Sequence, residues 1–530
     1  MSIVAFSKPA ALALAGLLLA TAPGVAGPAD DPARSVAGPL GLREAIAEAL
    51  RNSPTLRPAA DRVALADLGQ RVAESRFGLK ISPSVGAGLA SMGPGQRGAG
   101  VEVSKRLTAG TDLRFSADLR RYGAGGLDVR DAGYSFTISQ PLLQAFGPVA
   151  SAELRDAERA VVSSARTLEN ARQRLVLDVA AAFYAIVRQQ RLVDAGERAL
   201  ERAAILRRTS EARTKVGLAT RLDVLRAELL ASQAEVHLAT QREALAESVD
   251  RLKVLVGRPV EAPLEIAADA RLGLAGGSDF RLPTSAPPSL GVRRSASREG
   301  GQGYGGSAEA RGEGEKAEAT AADAAAGGTE IKDVEGIVVL ARATRLELSE
   351  ARDRVADAER HASIARWNLL PDLSLNASYT RRGLGSATTA VLNDLFGGWR
   401  LAVTTSYRLD RTVEASAAER AGIAVGAERR ALADLEQQVA AEVRRAWRAR
   451  ARAAATVEIQ AKAVEIARQQ LRLSQLRYER GLAGNFDVVD AEANVFAAES
   501  GLIAAEVEAA LAALALEHAA GTLDPARYHP

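Results

Sequence analysis

One short stretch of this chain occurs twice. Gly217-Leu218-Ala219-Thr220-Arg221-Leu222-Asp223-Val224-Leu225-Arg226-Ala227-Glu228 returns as Gly481-Leu482-Ala483-Gly484-Asn485-Phe486-Asp487-Val488-Val489-Asp490-Ala491-Glu492. Gly, Leu, Ala, Asp, Val, Ala and Glu recur at an offset of 264 residues, and the same offset carries Gly257 to Gly521. An internal repeat decides the architecture before any single element does, because each copy must fold alike. Constant spacing over so long an interval is what uninterrupted helix gives. Ala, Leu, Arg and Glu dominate 148–256 and 412–520, a mixture that favours long helices packed through small side chains. Helical arms are therefore predicted over 148–215 and 223–256, and again over 412–479 and 487–520. At 1.5 Å per residue the longer arms reach on the order of 100 Å and the return arms roughly 50 Å, too long for a single globular domain. The Gly-Leu-Ala turns make each pair an antiparallel hairpin, with glycine supplying the left-handed residue that ends the first arm. Asp223 and Asp487 fall where a helix start wants an acid, as N-cap or in the first turn.

The copies also begin alike. Residues 43–76 and 335–367 have helical periodicity, and both lead to a proline, Pro83 or Pro371, after which apolar and polar residues alternate. Leu373, Leu375, Ala377 and Tyr379 alternate with Asp372, Ser374, Asn376 and Ser378, and Trp399, Leu401, Val403 and Tyr407 follow the same rule. Such alternation predicts strands with one apolar face. The first copy offers four segments of this kind, marked by Val85, Ala87 and Leu89; Val101 and Val103; Leu113, Phe115, Ala117 and Leu119; and Tyr134, Phe136 and Ile138. The second offers two. Tyr122, Tyr134, Tyr379, Trp399 and Tyr407 fall near strand ends, where an aromatic belt would sit, with ordinary packing as the equal alternative. Between the copies, 272–330 holds Gly300-Gly301-Gln302-Gly303-Tyr304-Gly305-Gly306 and an Ala/Glu/Gly tract, a composition that buries too little to fold and reads as a linker or insertion.

Residues 1–26 carry Lys8, an apolar run from Ala10 to Ala20 and the small-x-small step Gly24-Val25-Ala26, the pattern of a secretory signal peptide cleaved near Gly27. No later run approaches the roughly 18 apolar residues of a spanning helix, so an exported chain that meets a membrane does so with strands or as a surface-bound protein. The chain has no Cys, which excludes thiol nucleophiles, thiolate-held metals, disulfides and lipidation on cysteine. His237, His361, His518 and His529 share no ligand spacing, so neither a metal site nor a cofactor is expected. Lys and Arg number 68 against 65 Asp and Glu with no basic arm, which argues against nucleic acid as a partner.

Together these marks resemble the outer-membrane efflux protein family, the TolC-like outer membrane factors. The resemblance covers about 40–272 and 331–523. It is carried by Ser139-Gln140-Pro141-Leu142-Leu143, Val216-Gly217-Leu218, Leu222-Asp223-Val224-Leu225, Phe486-Asp487-Val488, Val256-Gly257-Arg258-Pro259 and Gly521-Thr522-Leu523. It implies an α+β membrane protein: a homotrimer whose chains share one transmembrane β-barrel and build a long periplasmic α-barrel from their helical hairpins. Residues 27–271 would form the first repeat and 331–530 the second. The family's barrel takes four strands per chain, and the extra segments 101–107 and 111–121 are expected as an extracellular hairpin or as extensions of the spanning strands.

By the same resemblance the protein is no enzyme but the exit duct of a tripartite efflux or type I secretion system, set in outer-membrane lipid of a Gram-negative-type cell. A periplasmic adaptor would open it to an inner-membrane transporter. Val216, Gly217, Leu218 and Ala219, with Gly481, Leu482 and Ala483, would be the tips that dock the adaptor. Asp487 and Asp490 would ring the periplasmic entrance. Where the family holds a basic residue that latches the entrance this chain has Ala483, and the first tip has Arg226 in place of Asp490. The competing reading is a periplasmic coiled-coil structural or adaptor protein that never inserts, which lacks any need for the alternating strands 371–380 and 399–408.

Overall fold

The computed structural model describes residues 40–88, 95–124, 127–144, 146–266, 333–393 and 395–528. The expected export signal and the 272–330 connection lie outside them. The chain opens with helix α1 (Leu42–Asn52), a 3-10 turn (Pro54–Leu56) and α2 (Arg57–Ser75). The sequence reading had a single helix here; Pro54 and Pro58 break it, because proline lacks the N–H that an interior turn needs and is tolerated only where a helix begins. Four strands follow, β1 (Leu79–Gly88), β2 (Gly95–Arg106), β3 (Asp112–Ala124) and β4 (Leu127–Pro141). Then come the long α3 (Ala152–Lys215) and its return α4 (Arg221–Val256).

After 333 the order repeats with fewer strands. Helices α5 (Val334–Thr344) and α6 (Leu346–Trp367) are separated at Arg345, whose ψ of 125° is extended. They lead to β5 (Asp372–Gly385), a short helix α7 (Thr388–Asn393), β6 (Phe396–Ser406), and the hairpin α8 (Thr412–Glu479) and α9 (Asn485–Ala519). Helices of 64 and 68 residues pair with returns of 36 and 35, each bounded within a few residues of the sequence reading. Among the described residues no helix is long and apolar enough to cross a membrane.

The six strands form one antiparallel sheet in chain order, β1 to β6, open at both edges. Segments 101–107 and 111–121 belong to β2 and β3, paired along their whole length, so they are neither an appended hairpin nor an extension of other strands. Strand β1 runs from Leu79 straight through Pro83, where the sequence reading began after it. An edge position lets a strand carry proline.

Register puts every apolar alternation on one face. Ile81, Val103, Phe115, Phe136, Tyr379 and Trp399 lie opposite one another across all six strands, as do Leu79, Lys105, Leu113, Ile138, Ala377 and Leu401. The aromatics Phe115, Phe136, Tyr379 and Trp399 thus make an interior row, with Tyr134 6.3 Å from Tyr379 ring to ring. Tyr122 belongs to the opposite, polar face, Tyr134 and Tyr379 lie mid-strand, and Tyr407 follows β6 beneath the guanidinium of Arg411, so these aromatics do not share one end of the sheet. The polar face carries Ser82, Glu102, Ser116, Ser135 and Thr380 in one row. Arg120 and Arg382 pair with Asp118 there at 3.3 and 3.6 Å, and Arg114 pairs with Glu102 at 3.2 Å.

Below the sheet the helices pack in two similar corners. Ile46 and Ala49 of α1 bury against Val176, Val179, Phe183, Leu252 and Val256 of α3 and α4. Ile337, Val338 and Ala341 of α5 bury against Val439 and Val443 of α8 and Ala519 of α9. Gly257 (φ 85°) and Gly521 (φ 69°) close these corners, where any Cβ would stand 2.6 Å from the carbonyl oxygen of Asn52 or 2.7 Å from the hydroxyl of Thr344. Both are therefore glycine for conformation and for space together.

Candidate functional site

The tips of the two hairpins are held against each other, and the contact begins with local turn chemistry. Gly217 (φ 78°) and Gly481 (φ 71°) end α3 and α8 in the left-handed region, with open space where a side chain would go. In each turn the following leucine N–H, of Leu218 or Leu482, returns to a carbonyl of the helix just ended, that of Arg213 or Arg477. Helix α4 then starts with a capping box: Thr220 Oγ1 accepts from the Asp223 N–H, and Asp223 accepts from the Thr220 N–H and hydroxyl at 3.0 and 2.7 Å. Partial burial pushes the Asp223 carboxyl up, but the Thr220 hydroxyl and amide, with Arg226 nearby, outweigh it and hold the group below its ordinary value. Helix α9 starts differently. Gly484 is its N-cap and offers no side chain, so Asp487 serves the first turn through charge alone.

Four residues that the sequence reading did not single out join the tips. Asn485, fully buried, donates from Nδ2 to the Asp223 carbonyl at 2.7 Å and lies 3.3 Å from Ser210 Oγ. Ser210 is itself buried and shares a hydrogen bond with the Tyr478 hydroxyl at 3.2 Å. Arg213 donates to the carbonyls of Tyr478 and Glu479 at 2.6 and 2.8 Å, with its guanidinium 4.4 Å over the Tyr478 ring. A cation there satisfies the last carbonyls of α8 and complements its dipole. Arg226 of the first hairpin lies 5.6 Å over the Phe486 ring of the second. A cross-hairpin basic contact therefore exists although Ala483 supplies none. Higher up, Arg202 meets the buried Glu492 at 2.6 Å and Arg468 meets Glu499 at 2.7 Å. Burial pushes the Glu492 carboxyl up despite Arg202.

The sequence-predicted residues sort into two groups around this joint. Val216, Leu218 and Leu482 are 69, 75 and 75% exposed, large apolar side chains standing in water at the ends of both hairpins. Ala219 and Ala483 sit half-buried beside them, and Phe486 is exposed. Asp487 and Asp490, one turn apart on α9, are both exposed; neither is in an ion pair among the described residues, and Asp490 accepts from Asn494 at 3.2 Å. The structure thus brings the two tips together and leaves the acids exposed. Asn485 escaped notice because its neighbours are distant in sequence: an Asn at a helix start reads as turn chemistry until the other hairpin is in place.

The chain matches the family described as Outer membrane efflux protein over residues 45–258 and 337–522. No curated protein matches its sequence. The fold is similar to the outer membrane protein VceC of Vibrio cholerae, at 18% identity and TM-score 0.61 over 91% of this chain and 96% of that one. It is also similar to the open-state MtrE outer membrane channel of Neisseria gonorrhoeae, at 16% identity and TM-score 0.60 over 91% and 88%. The CmeC outer membrane channel of Campylobacter jejuni, at 12% identity, gives TM-score 0.60 over 92% and 88%. With the two matched segments spanning both halves of the fold, the chain belongs to the outer membrane efflux protein family, the outer-membrane channels of efflux systems.

Proposed function

We propose that three copies of this chain close their sheets into one β-barrel in the outer membrane and gather their hairpins into a periplasmic tunnel, making a passive exit duct for a separate pump. Each chain supplies two repeats, 27–271 and 331–530. The observation that carries this reading is the open sheet with one apolar face and two unpaired edges, joined directly to rods of 64 and 68 residues. Unpaired backbone groups cannot be left in hydrocarbon, so such a sheet must find further copies before it can span. Strands β1 and β6 are antiparallel in an even-numbered sheet, so the β1 of one copy continues the β6 of the next without breaking the alternation.

The tips Val216–Ala219 and Gly481–Ala483 offer exposed apolar side chains to the helical hairpins of a periplasmic adaptor, which hands cargo from an inner-membrane transporter. Asp487 and Asp490 of three copies bring six carboxylates around one axis. That ring favours cations at the mouth and opposes closure through like-charge repulsion. The chemistry is conduction, with energy supplied elsewhere.

Single-channel recording in planar bilayers tests it, comparing the native protein with D487A/D490A while trivalent cations are added from the tip side. Cation-selective pores blocked in the native protein and not in the variant are expected. Block that persists in the variant removes the acidic ring and leaves the duct. A folded trimer that makes no pores supports the non-inserted coiled-coil reading instead.

A further inference from the structure

We propose that all six strands of each chain cross the membrane, so that the barrel is an eighteen-stranded ring and the hairpin β2–β3 is a built-in widening of the duct. The inference rests on the trimeric barrel proposed above and goes beyond it in strand number and width.

Four observations bear on β2 and β3. Their lengths, 12 and 13 residues, match the 10 to 15 of the other strands and exceed the roughly 9–11 residues a tilted spanning strand needs. Their pairing covers full height. Strand β3 is bonded to β4 from Asp112–Ser139 at the helix end to Ala124–Leu127 at the far end, and the turn between β2 and β3 lies at the helix end, where the Gly147 N–H reaches the Ala109 carbonyl. A hairpin standing outside the membrane would pair only beyond the far rim.

Their alternation is in phase with their neighbours. Ala99, Val101 and Val103 of β2, with Leu113, Phe115, Ala117 and Leu119 of β3, share the apolar face with Ile81, Phe136, Tyr379 and Trp399, while Glu102, Ser104, Arg114, Ser116 and Asp118 share the polar one. A loop in water has no use for that phase. Basic residues also bracket the apolar run. On β2, Lys105 and Arg97 flank Ala99 to Val103 on the same face, a separation of about 27 Å along the strand and about 20 Å along an axis tilted by ~40°. On β3 and β4, Arg121 and Arg130 continue the Arg97 row. Cations at both ends of an apolar band of that height lie where long basic side chains reach the headgroups.

The register is staggered as a barrel requires. Leu79 opens β1, yet its row reaches β6 at Leu401, well inside a strand that runs on to Ser406. Strands that climb relative to their hydrogen-bond rows are inclined strands. Since diameter grows roughly linearly with strand number, a ring of eighteen is about one and a half times as wide as a ring of twelve, with about twice the cross-section. In such a duct the barrel is never the narrow point, and the size of what leaves is set at the hairpin tips.

The lack of cysteine allows a clean test on the full-length trimer in liposomes. Single cysteines replace Val101, Ala117, Glu102 and Ser116, with Leu401 and Ser378 as references on β6 and β5, and carry a fluorescent label challenged by lipid-borne or aqueous quenchers. Labels at 101, 117 and 401 are expected to answer the lipid quencher, and those at 102, 116 and 378 the aqueous one. Aqueous quenching at 101 and 117 with lipid quenching at 401 overturns the eighteen-stranded ring while keeping the membrane barrel. Aqueous quenching at 401 as well overturns the barrel itself. Deleting 89–126 joins β1 to β4 at the far rim and leaves four strands per chain. The polymer size excluded from the outer mouth is expected to fall about 1.5-fold, and an unchanged cut-off counts against the proposal; should this variant fail to assemble, the labels alone decide.

Discussion

Asn485 is small, buried and placed where two long hairpins end, so its amide decides how firmly the tips hold each other. Replacing it by leucine keeps the branched outline in a somewhat larger side chain but leaves the Asp223 carbonyl and Ser210 hydroxyl without their donor, a cost of about 1–2 kcal/mol for buried polar groups. N485L is expected to lower the denaturant midpoint of the assembled protein and raise its resting conductance, read by guanidinium titration and bilayer recording. Asp223 makes a second prediction. Its carboxyl is held below its ordinary value when folded, so its stabilising bonds with Thr220 are present above the ordinary carboxylate range and are lost as pH falls through the depressed folded value. The protection of the first-turn amides of α4, taken relative to their intrinsic exchange rate at each pH, should fall in acid in the native protein, whereas T220V, lacking the hydroxyl, should show the low protection already at neutral pH. Unchanged exchange in T220V would show that the box contributes nothing.

Among the elements, the four long helices were readable because helix needs only local information: favourable residues, a glycine stop and an acid at the next start. The strands were readable as alternation, yet alternation names a face and not a neighbour. That β2 and β3 stand between β1 and β4 as full members follows from register, which depends on pairing between segments and was out of reach of the pattern alone. Helix α7 was missed for a similar reason: Val391 is buried through contact with Gly383 and Gly385 of β5 rather than by any periodicity in its six residues. The tip glycines were legible, but Ser210, Arg213, Tyr478 and Asn485 were not, since each is given its role by the other hairpin. The two faces of β2 can be told apart by charge. In the proposed barrel V101R puts a guanidinium on the lipid side at a cost of about 2–4 kcal/mol near mid-depth, whereas E102R exchanges one lumen charge for another. Urea unfolding in liposomes should show a large loss for V101R and little for E102R; equal effects would mean that this strand does not distinguish lipid from water.

At the scale of the molecule, the chain is a half-built object: helical corners with their own cores, and a sheet with nothing at its edges. The apolar face leaves Val85 82% and Trp399 79% exposed, one at each edge of the sheet, and in the proposed ring lipid and neighbouring copies cover them. Those bare edges have a genetic consequence. A chain with sound helices but a spoiled β1 or β6 still offers one good edge, enters rings with healthy siblings and leaves a gap where the ring should join. In the three-chain ring proposed above, equal amounts that mix freely leave only about one ring in eight free of the damaged chain, by the arithmetic of three equivalent positions. Edge-strand mutants should therefore behave as dominant, poisoning the product of an intact second copy, while mutants that never fold far enough to meet a sibling should be recessive.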